Sequence, residues 1–449
     1  MNNKKVAVVG YGLEGKDLVN YLLNKGFDVT IFDKKNKKDL DILQRHKKLM
    51  FVTGKNYLSE GLDKYQEIFR SPGVYRYKKE LVEAEKKGSV ISSASILFFD
   101  NCPAKIIAVT GTKGKGTTSS LIFEILKLAK KDVYLVGNIG SPFLEILPRV
   151  TKDTWIVTEM SSFQLIDLQK SPSIAVVLNI TEDHLDWHEN IQEYIDAKKN
   201  IVKHQTDKDL AVINSDYEIS NSFQKITKAE VFLTSINKKV NGCYVADGKI
   251  ILEVDKQKST LGNVDKLILR GKHNWENICS ASLASFLAGC DFESIKKTIF
   301  SFKGLEHRLE FVKTVNGISF YNDSFATGPQ PTIAAIRSFN EPVTLILGGY
   351  DKNLSYNKMF QIISQRENIK NIFLIGDLEK KFDLSLRNTG FDGNIYKMGK
   401  RNIKDIVKKT FEVTEKGGAV ILSPAAASFD MFDNYKQRGK LFKEAVDNL

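Results

Sequence analysis

Between residues 109 and 118 the chain reads Val-Thr-Gly-Thr-Lys-Gly-Lys-Gly-Thr-Thr, placing three glycines and two lysines between an apolar run and a helical one. Glycine amides turned inward around a lysine and hydroxyls form a nest for ATP phosphates and Mg²⁺. Gly111, Thr112, Lys113, Gly114, Lys115, Gly116, Thr117 and Thr118 are therefore the candidate ATP contacts. The loop departs from the usual GxxxxGK[ST] pattern twice: Val109 stands at the first glycine, and Gly116 separates Lys115 from the hydroxyls. Either Thr117 or Thr118 can then meet the metal. Glu159 ends the run TWIVTE beside Ser161 and Ser162, where a carboxylate can complete the oxygen shell magnesium prefers. NITEDHLDWH sets Asp183 and His184 just past the apolar run IAVVLNI; imidazole is a poor magnesium ligand, so a capping or surface role competes. In IQEYIDAKKNIVK, helical spacing puts Lys198 on the apolar face with Tyr194, Ala197 and Ile201, while Lys199 turns away. Such a lysine either snorkels to water or is buried with a depressed pKa. A buried neutral amine can take up CO₂ as a carbamate, an anionic ligand for a second Mg²⁺.

Gly10-Tyr11-Gly12-Leu13-Glu14-Gly15 follows a strand and opens a helix, so its amides and helix dipole can receive a pyrophosphate. Asp33 ends the next strand, where a dinucleotide enzyme holds a ribose hydroxyl. Alone, this segment suggests a nicotinamide-dependent oxidoreductase or an unliganded βα turn.

These residues need elements to hold them. The first hundred residues alternate β-branched runs (VAVVG, DVTIF, LMFVTG, EIFRSPG) with helical stretches, the rhythm of a parallel sheet covered by helices. The rhythm restarts after Pro103 with IIAVTG and continues through VYLVG, TWIVTEM, IAVVLNI and LAVINSD, with further strands and turns expected over 217–268. It restarts again from ISFYNDS, through VTLILGG, NIFLIGD, IKDIVKKTFEVTEK and AVILSPAA, to a closing helix in NYKQRGKLFKEAVDNL. The expected fold is α/β in three domains: a Rossmann-like domain over 1–103, a P-loop ATPase-like domain over 104–305 and a Rossmann-like domain over 306–449. Open parallel sheets bind ligands at the strands' carboxyl ends, where each motif lies.

Composition narrows the class. At 449 residues, with 42% hydrophobic and 27% charged residues, disorder, collagen and coiled coil are excluded. No apolar stretch approaches the ~18 residues of a spanning helix, and the first residues run into a strand without a leader, so a cytoplasmic protein without membrane insertion is expected. Cys102, Cys243, Cys279 and Cys290 are dispersed without a CxxC pair, which fits a reducing compartment. The net charge of +12 suits anionic small molecules; nucleic acid is disfavoured because no aromatic residues interleave with the lysine runs.

Taken in order, SPGV (71–74), GTKGKGTT, GNIGSP (137–142), EMSSFQL (159–165), NITEDHLDWH, YIDAKKNI, GKHNWEN (271–277), GLEHRLE (304–310), NDSFAT (322–327), LGGYDK (347–352) and LSPAAASFDMF (422–432) resemble the Mur ligases. SSFQL and SPAAASFD are similar to the glutamate-adding branch. The resemblance implies ATP-dependent addition of glutamate, expected as the D enantiomer, to UDP-N-acetylmuramoyl-L-alanine through an acyl phosphate, in peptidoglycan precursor synthesis. L-glutamate or another amino acid is the alternative, and a monomer is expected. The resemblance assigns Gly12, Leu13, Glu14, Gly15, Asp33, Ser71, Pro72, Gly73, Asn138, Ser161 and Gln164 to the UDP-sugar. It adds Asn274, Asn277, Arg308 and Asp323 to the ATP contacts, and assigns Thr117, Glu159, His184 and carbamylated Lys198 to Mg²⁺. Lys115, His184 and Lys198 become catalytic, and Thr327, Lys352, Ser428 and Tyr435 glutamate-binding. Phe325 stands where the family usually carries lysine, and Gly328-Pro329 follows the threonine.

Overall fold

The computed structural model describes residues 4–40, 46–59 and 61–449. Its strands form three sheets. The first runs, edge to edge, Leu49–Thr53, Asp28–Asp33, Lys5–Val9, Glu67–Arg70, Val90–Ser92, and is parallel throughout. Val6, Ala7, Val8 and Val9 are all fully buried, as a strand covered by helices on both faces requires.

The central sheet has nine strands in the order Gln257–Asn263, Lys249–Val254, Gly242–Ala246, Glu230–Ser235, Leu210–Asn214, Ile174–Val177, Lys105–Thr110, Trp155–Glu159, Val133–Gly137. The extra strands expected over 217–268 form one edge, where Gly242–Ala246 pairs antiparallel with Lys249–Val254. Lys105–Thr110 lies between Ile174–Val177 and Trp155–Glu159, in register Val109 with Glu159 and Thr110 with Val177. That order brings the glycine loop, Glu159 and the segment after Val177 to one sheet end. Helix Ile191–Lys203 packs against the same central strand. Its start is set by Asn190, whose side chain accepts from the Glu193 amide at 2.9 Å.

The third sheet runs Glu310–Val315, Ile318–Asn322, Ala419–Leu422, Val343–Gly348, Ile369–Ile375, Asn394–Gly399. Only its first pair is antiparallel. The closing helix Tyr435–Asp447 starts at Asn434, whose side chain accepts from Gln437 N at 3.0 Å. Three of the four cysteines are buried, and all four are free. No helix among the described residues is long and apolar enough to cross a membrane.

The chain divides into two compact units, residues 1–262 with 276–298, and residues 263–275 with 299–449. The first two sheets therefore share one unit, and a buried charge cluster shows why. Arg70, at the end of its strand, has a side chain only 1% exposed and donates to Val74 O at 2.8 Å, Phe163 O at 2.8 Å and Asp167 Oδ2 at 3.2 Å. Arg76 reaches the other oxygen of Asp167 at 2.5 Å and Glu85 at 2.7 Å. Leu144 N donates to Asp17 Oδ2 at 2.8 Å, a second tie between the sheets. Asp167 and Glu85 together thus neutralise two guanidinium groups that burial would otherwise make costly.

Asp167→Ala would leave Arg70 charged and unpaired in the interior. It should destabilise the first unit by about 3–5 kcal/mol, read as a lowered denaturation midpoint, with Asp167→Asn falling between the two.

Candidate active site

Gly111 and Gly114 have φ of +155° and +86°, which side chains rarely adopt. A Cβ on Gly114 would lie 2.1 Å from Asn277 Oδ1, and one on Gly111 would lie 2.7 Å from Leu178 Cβ. The loop is therefore pressed against its neighbours with no room for side chains. Helix Lys115–Leu128 begins immediately after it, directing its first amides to the loop's mouth. Lys115 Nζ curls back to the carbonyls of Gly111 and Thr112, 3.1 Å from each. Of the two candidate hydroxyls, Thr118 is fully buried and donates to Asn277 Oδ1 at 3.3 Å, whereas Thr117 is half-buried.

Lys198 does not snorkel. Its side chain is 1% exposed and lies with Tyr194, Ala197 and Ile201 on the buried face of its helix. Its Nζ donates to Gly111 O at 2.9 Å and lies 4.7 Å from the centre of the Tyr194 ring. Lys115 and Lys198 thus converge on one carbonyl. Burial first, then the charge of Lys115, pushes the Lys198 amine well below the usual lysine range.

Glu159 lies beside this pair, its Oε1 accepting from Asn138 Nδ2 at 3.5 Å. Among the described residues no three His, Cys, Asp or Glu side chains gather to hold a metal. A magnesium ion here would draw on Glu159, a threonine hydroxyl and the oxygens of its own nucleotide, a donor set of the hard type it prefers. The residues present fit it. His184 has φ +56° and a side chain 44% exposed, with its ring 4.9 Å from Phe163 and its Nε2 3.9 Å from Asp183. Asp183 pairs with Lys113 at 3.1 Å.

His188, not singled out from the sequence, is the buried histidine of this segment. Its Nε2 meets Ser162 Oγ and its Nδ1 meets Glu193, each at 2.8 Å, and burial lowers its pKa. It bolts the SSFQL turn to helix Ile191–Lys203. The HLDWH spacing carried the only signal for it, since a histidine four residues after another returns to the same side of a turn.

In the first sheet, Gly15 packs so closely that a Cβ would lie 2.2 Å from Gly10 O and 3.0 Å from Ser71 Oγ. Ser71 Oγ donates to Gly10 O at 2.6 Å, so the SPG turn closes on the glycine turn. Gly12 and Leu13 are exposed. Both Asp33 oxygens accept backbone amides, from Tyr11 at 2.7 Å and Lys35 at 2.8 Å. That use orders the turn and weakens the ribose reading of a dinucleotide enzyme. Glu14 Oε1 accepts from Gln164 Nε2 at 2.5 Å, while its Oε2 is buried without a partner among the described residues. Gln164 Oε1 in turn accepts from Ser161 N at 2.8 Å and Oγ at 2.9 Å. Glu14, Gln164, Ser161, Asn138 and Glu159 therefore form one polar chain running from the first glycine turn to the second.

In the second unit, Asn274 Nδ2 donates to Arg270 O at 2.7 Å. Asp323 is buried and accepts from Leu309 N at 3.0 Å and Ser423 Oγ at 2.6 Å. The Arg308 guanidinium lies 4.0 Å from the centre of the Phe325 ring. Tyr435 packs against His307 and Phe325, Ser428 is buried, Thr327 N donates to Phe325 O at 2.8 Å, and Lys352 is exposed. Arg438, also not singled out from the sequence, is fully buried and donates to Ser324 O and Ala426 O at 2.8 and 3.1 Å. It ties the NDSFAT and SPAAASF loops together. Only tertiary burial distinguishes it from the lysines and arginines around it.

Burial pushes Glu14 up from 4.5 to about 7 against the Gln164 hydrogen bond, and pushes Asp323 up from 3.8 to about 7. The folded chain therefore keeps protons that the unfolded chain releases, and stability should fall as pH rises from about 4 to 7. Thermal midpoints across that range should drop less for Glu14→Gln than for the unsubstituted protein.

Residues 109–285 match the Mur ligase middle domain and residues 4–93 the MurD-like N-terminal domain of Mur ligases. The UDP-N-acetylmuramoylalanine--D-glutamate ligase of Ruminiclostridium cellulolyticum is 38% identical over 460 residues, covering 100% of this chain and 97% of that protein. The enzyme of the same name from Clostridium tetani is 37% identical over 457 residues, with 100% and 97% covered. Among solved structures, the MurF ligase from Thermotoga maritima in complex with ADP aligns over 99% of this chain and 96% of its own, with TM-score 0.57 and 15% identity. A MurF from Acinetobacter baumannii aligns over 99% and 94%, with TM-score 0.61 and 13% identity. These two show a shared fold, and the full-length identity to the glutamate ligases shows more: this chain belongs to the Mur ligase family.

Proposed function

We propose that this chain is an ATP-dependent ligase that joins D-glutamate to UDP-N-acetylmuramoyl-L-alanine, forming an amide and releasing ADP and phosphate. The observation that carries the reading is the convergence of Lys115 and Lys198 on the Gly111 carbonyl beside Glu159. Lys115, with the inward-turned amides of the glycine loop, makes a site that favours anions, and a ligase activating a carboxylate with a triphosphate must hold several of them there.

A carboxylate is a poor acyl donor, because an amine will not displace oxide from it. An oxygen of the alanyl carboxylate attacks the γ-phosphorus, ADP departs, and the acid becomes an acyl phosphate. The glutamate amine, deprotonated, adds to that carbonyl, and phosphate leaves as the amide forms. Lys115 neutralises charge on the transferred group and on the oxyanion of the second step. The glycine loop fixes the triphosphate through its amides. Thr117 and Glu159 would hold one Mg²⁺, His184 and Lys198 a second, and the metal would supply charge neutralisation at the transferred phosphoryl group. Thr117 is preferred over Thr118, which is fully buried while Thr117 is half-buried.

The finer reading of Lys198 is a carbamate: the Nζ lone pair adds to CO₂ and the proton passes to solvent. Burial, which outweighs the nearby carboxylates of Asp183 and Glu159, favours the nucleophilic neutral amine, and the resulting anion would sit beside Lys115. The UDP-sugar would lie along Ser71, Glu14, Gln164 and Asn138, and the incoming amino acid on Thr327, Lys352, Ser428 and Tyr435. A monomer in the cytoplasm, where UDP-sugars and ATP meet, completes the proposal.

Purified protein with ATP, Mg²⁺ and UDP-N-acetylmuramoyl-L-alanine should release phosphate only when D-glutamate is added. Equal release without an amino acid, or amide formation from L-glutamate alone, would refute it. Lys198→Ala should lower kcat by about a hundredfold while ADP affinity is kept. ¹³C-bicarbonate should give a carbamate resonance in the unsubstituted protein that is missing in that variant.

A further inference from the structure

Phe325 is 37% exposed although large and apolar, and its contacts are with side chains that have chemistry to perform. The Arg308 guanidinium carbon lies 4.0 Å from its ring centre, and the Tyr435 ring meets it edge-on at 5.0 Å and 84°. Arg308 sits between His307 and Leu309, both left-handed with φ +66° and +44°. Neither is glycine, so this backbone persists only because its surroundings over-determine it. They do: His307 N donates to Glu310 Oε2 at 2.9 Å, Leu309 N to Asp323 Oδ1 at 3.0 Å, and Phe325 N to His307 O at 2.9 Å.

The loop fixes the backbone on either side of Arg308, and the guanidinium carbon lies over the Phe325 ring. Stacking uses the flat face of the guanidinium and leaves its five N–H donors free in the plane, a fork that matches an oxyanion. Asp323 feels the charge of Arg308, but its two oxygens accept from Leu309 N and Ser423 Oγ. A carboxylate partner would hold the arginine equally well but consume those donors.

We propose that Phe325 is a positioning residue that holds Arg308 by cation–π stacking, so that the edge of the guanidinium stays free to meet a phosphate group. The proposal rests on the reading of Arg308 as a nucleotide contact. It also accounts for an aromatic residue at a position where sequence resemblance leads one to expect lysine. A ring cannot neutralise phosphate itself, but it can aim a cation that does.

The test is a double-mutant cycle on the full chain, with Mg²⁺–ADP affinity measured by calorimetry and KM for ATP and for glutamate measured separately. Phe325→Leu, which keeps the bulk and loses the π face, should weaken ADP about two- to fivefold and raise KM for ATP by a similar factor. Phe325→Trp should restore both values. In an Arg308→Ala background, Phe325→Leu should have no further effect on ADP. Equal affinities for Phe325→Leu and the unsubstituted protein, failure of Phe325→Trp to restore, or full additivity in the double variant would overturn the proposal. If Arg308→Ala alone binds ADP normally, the nucleotide assignment of Arg308 falls and this inference with it, while amide formation from both substrates would leave the ligase reading intact.

Discussion

Two lysines reaching for the carbonyl of Gly111 set the terms for the first unit. Lys115 arrives from the helix that follows the loop, and Lys198 from a helix packed against the loop's own strand. Placing both there is costly, and burial together with the charge of Lys115 pushes the Lys198 amine well below the usual lysine range. Every neighbouring feature follows from this. Gly111 must be glycine, since a Cβ would strike Leu178, and Glu159 must end the adjacent strand so that a carboxylate faces the pair. His188 must be buried, because it joins the SSFQL turn to the helix that carries Lys198.

The same unit shows how two sheets become one scaffold. Asp167 holds Arg70 and Arg76 together, and Arg70 also clasps the carbonyls of Val74 and Phe163. The SPG turn of the first sheet and the SSFQL turn of the central one are thereby fixed to each other. A relay of amides and carboxyls, Glu14 to Gln164 to Asn138 to Glu159, lies across that junction. In the second unit Arg438 does comparable work with neutral partners, joining two loops through their carbonyls.

Much of this was legible before the fold was known. Glycine-rich turns after β-branched runs announce their strand–loop–helix context, and the helix over residues 191–203 is where its periodicity places it. The burial of Lys198 was one of two outcomes open to an amphipathic pattern, and the local spacing could not choose between them. Strands Val90–Ser92, Glu310–Val315 and Asn394–Gly399 were not anticipated, being short or edge strands whose alternation is weak. Which of Thr117 and Thr118 is buried was equally closed to the sequence, because Thr118 packs against Asn277, 159 residues further on.

By itself the sequence determined which residue types could do chemistry and in what order along the chain, since glycine, lysine and hydroxyl patterns are local and their conformational demands are local too. Only the tertiary structure decided which of them are buried, which are spent on neighbours and which remain available. Arg70, His188 and Arg438 look like any other basic residues until long-range packing removes water from around them. Desolvation is a property of the assembled neighbourhood, and no window of sequence contains it.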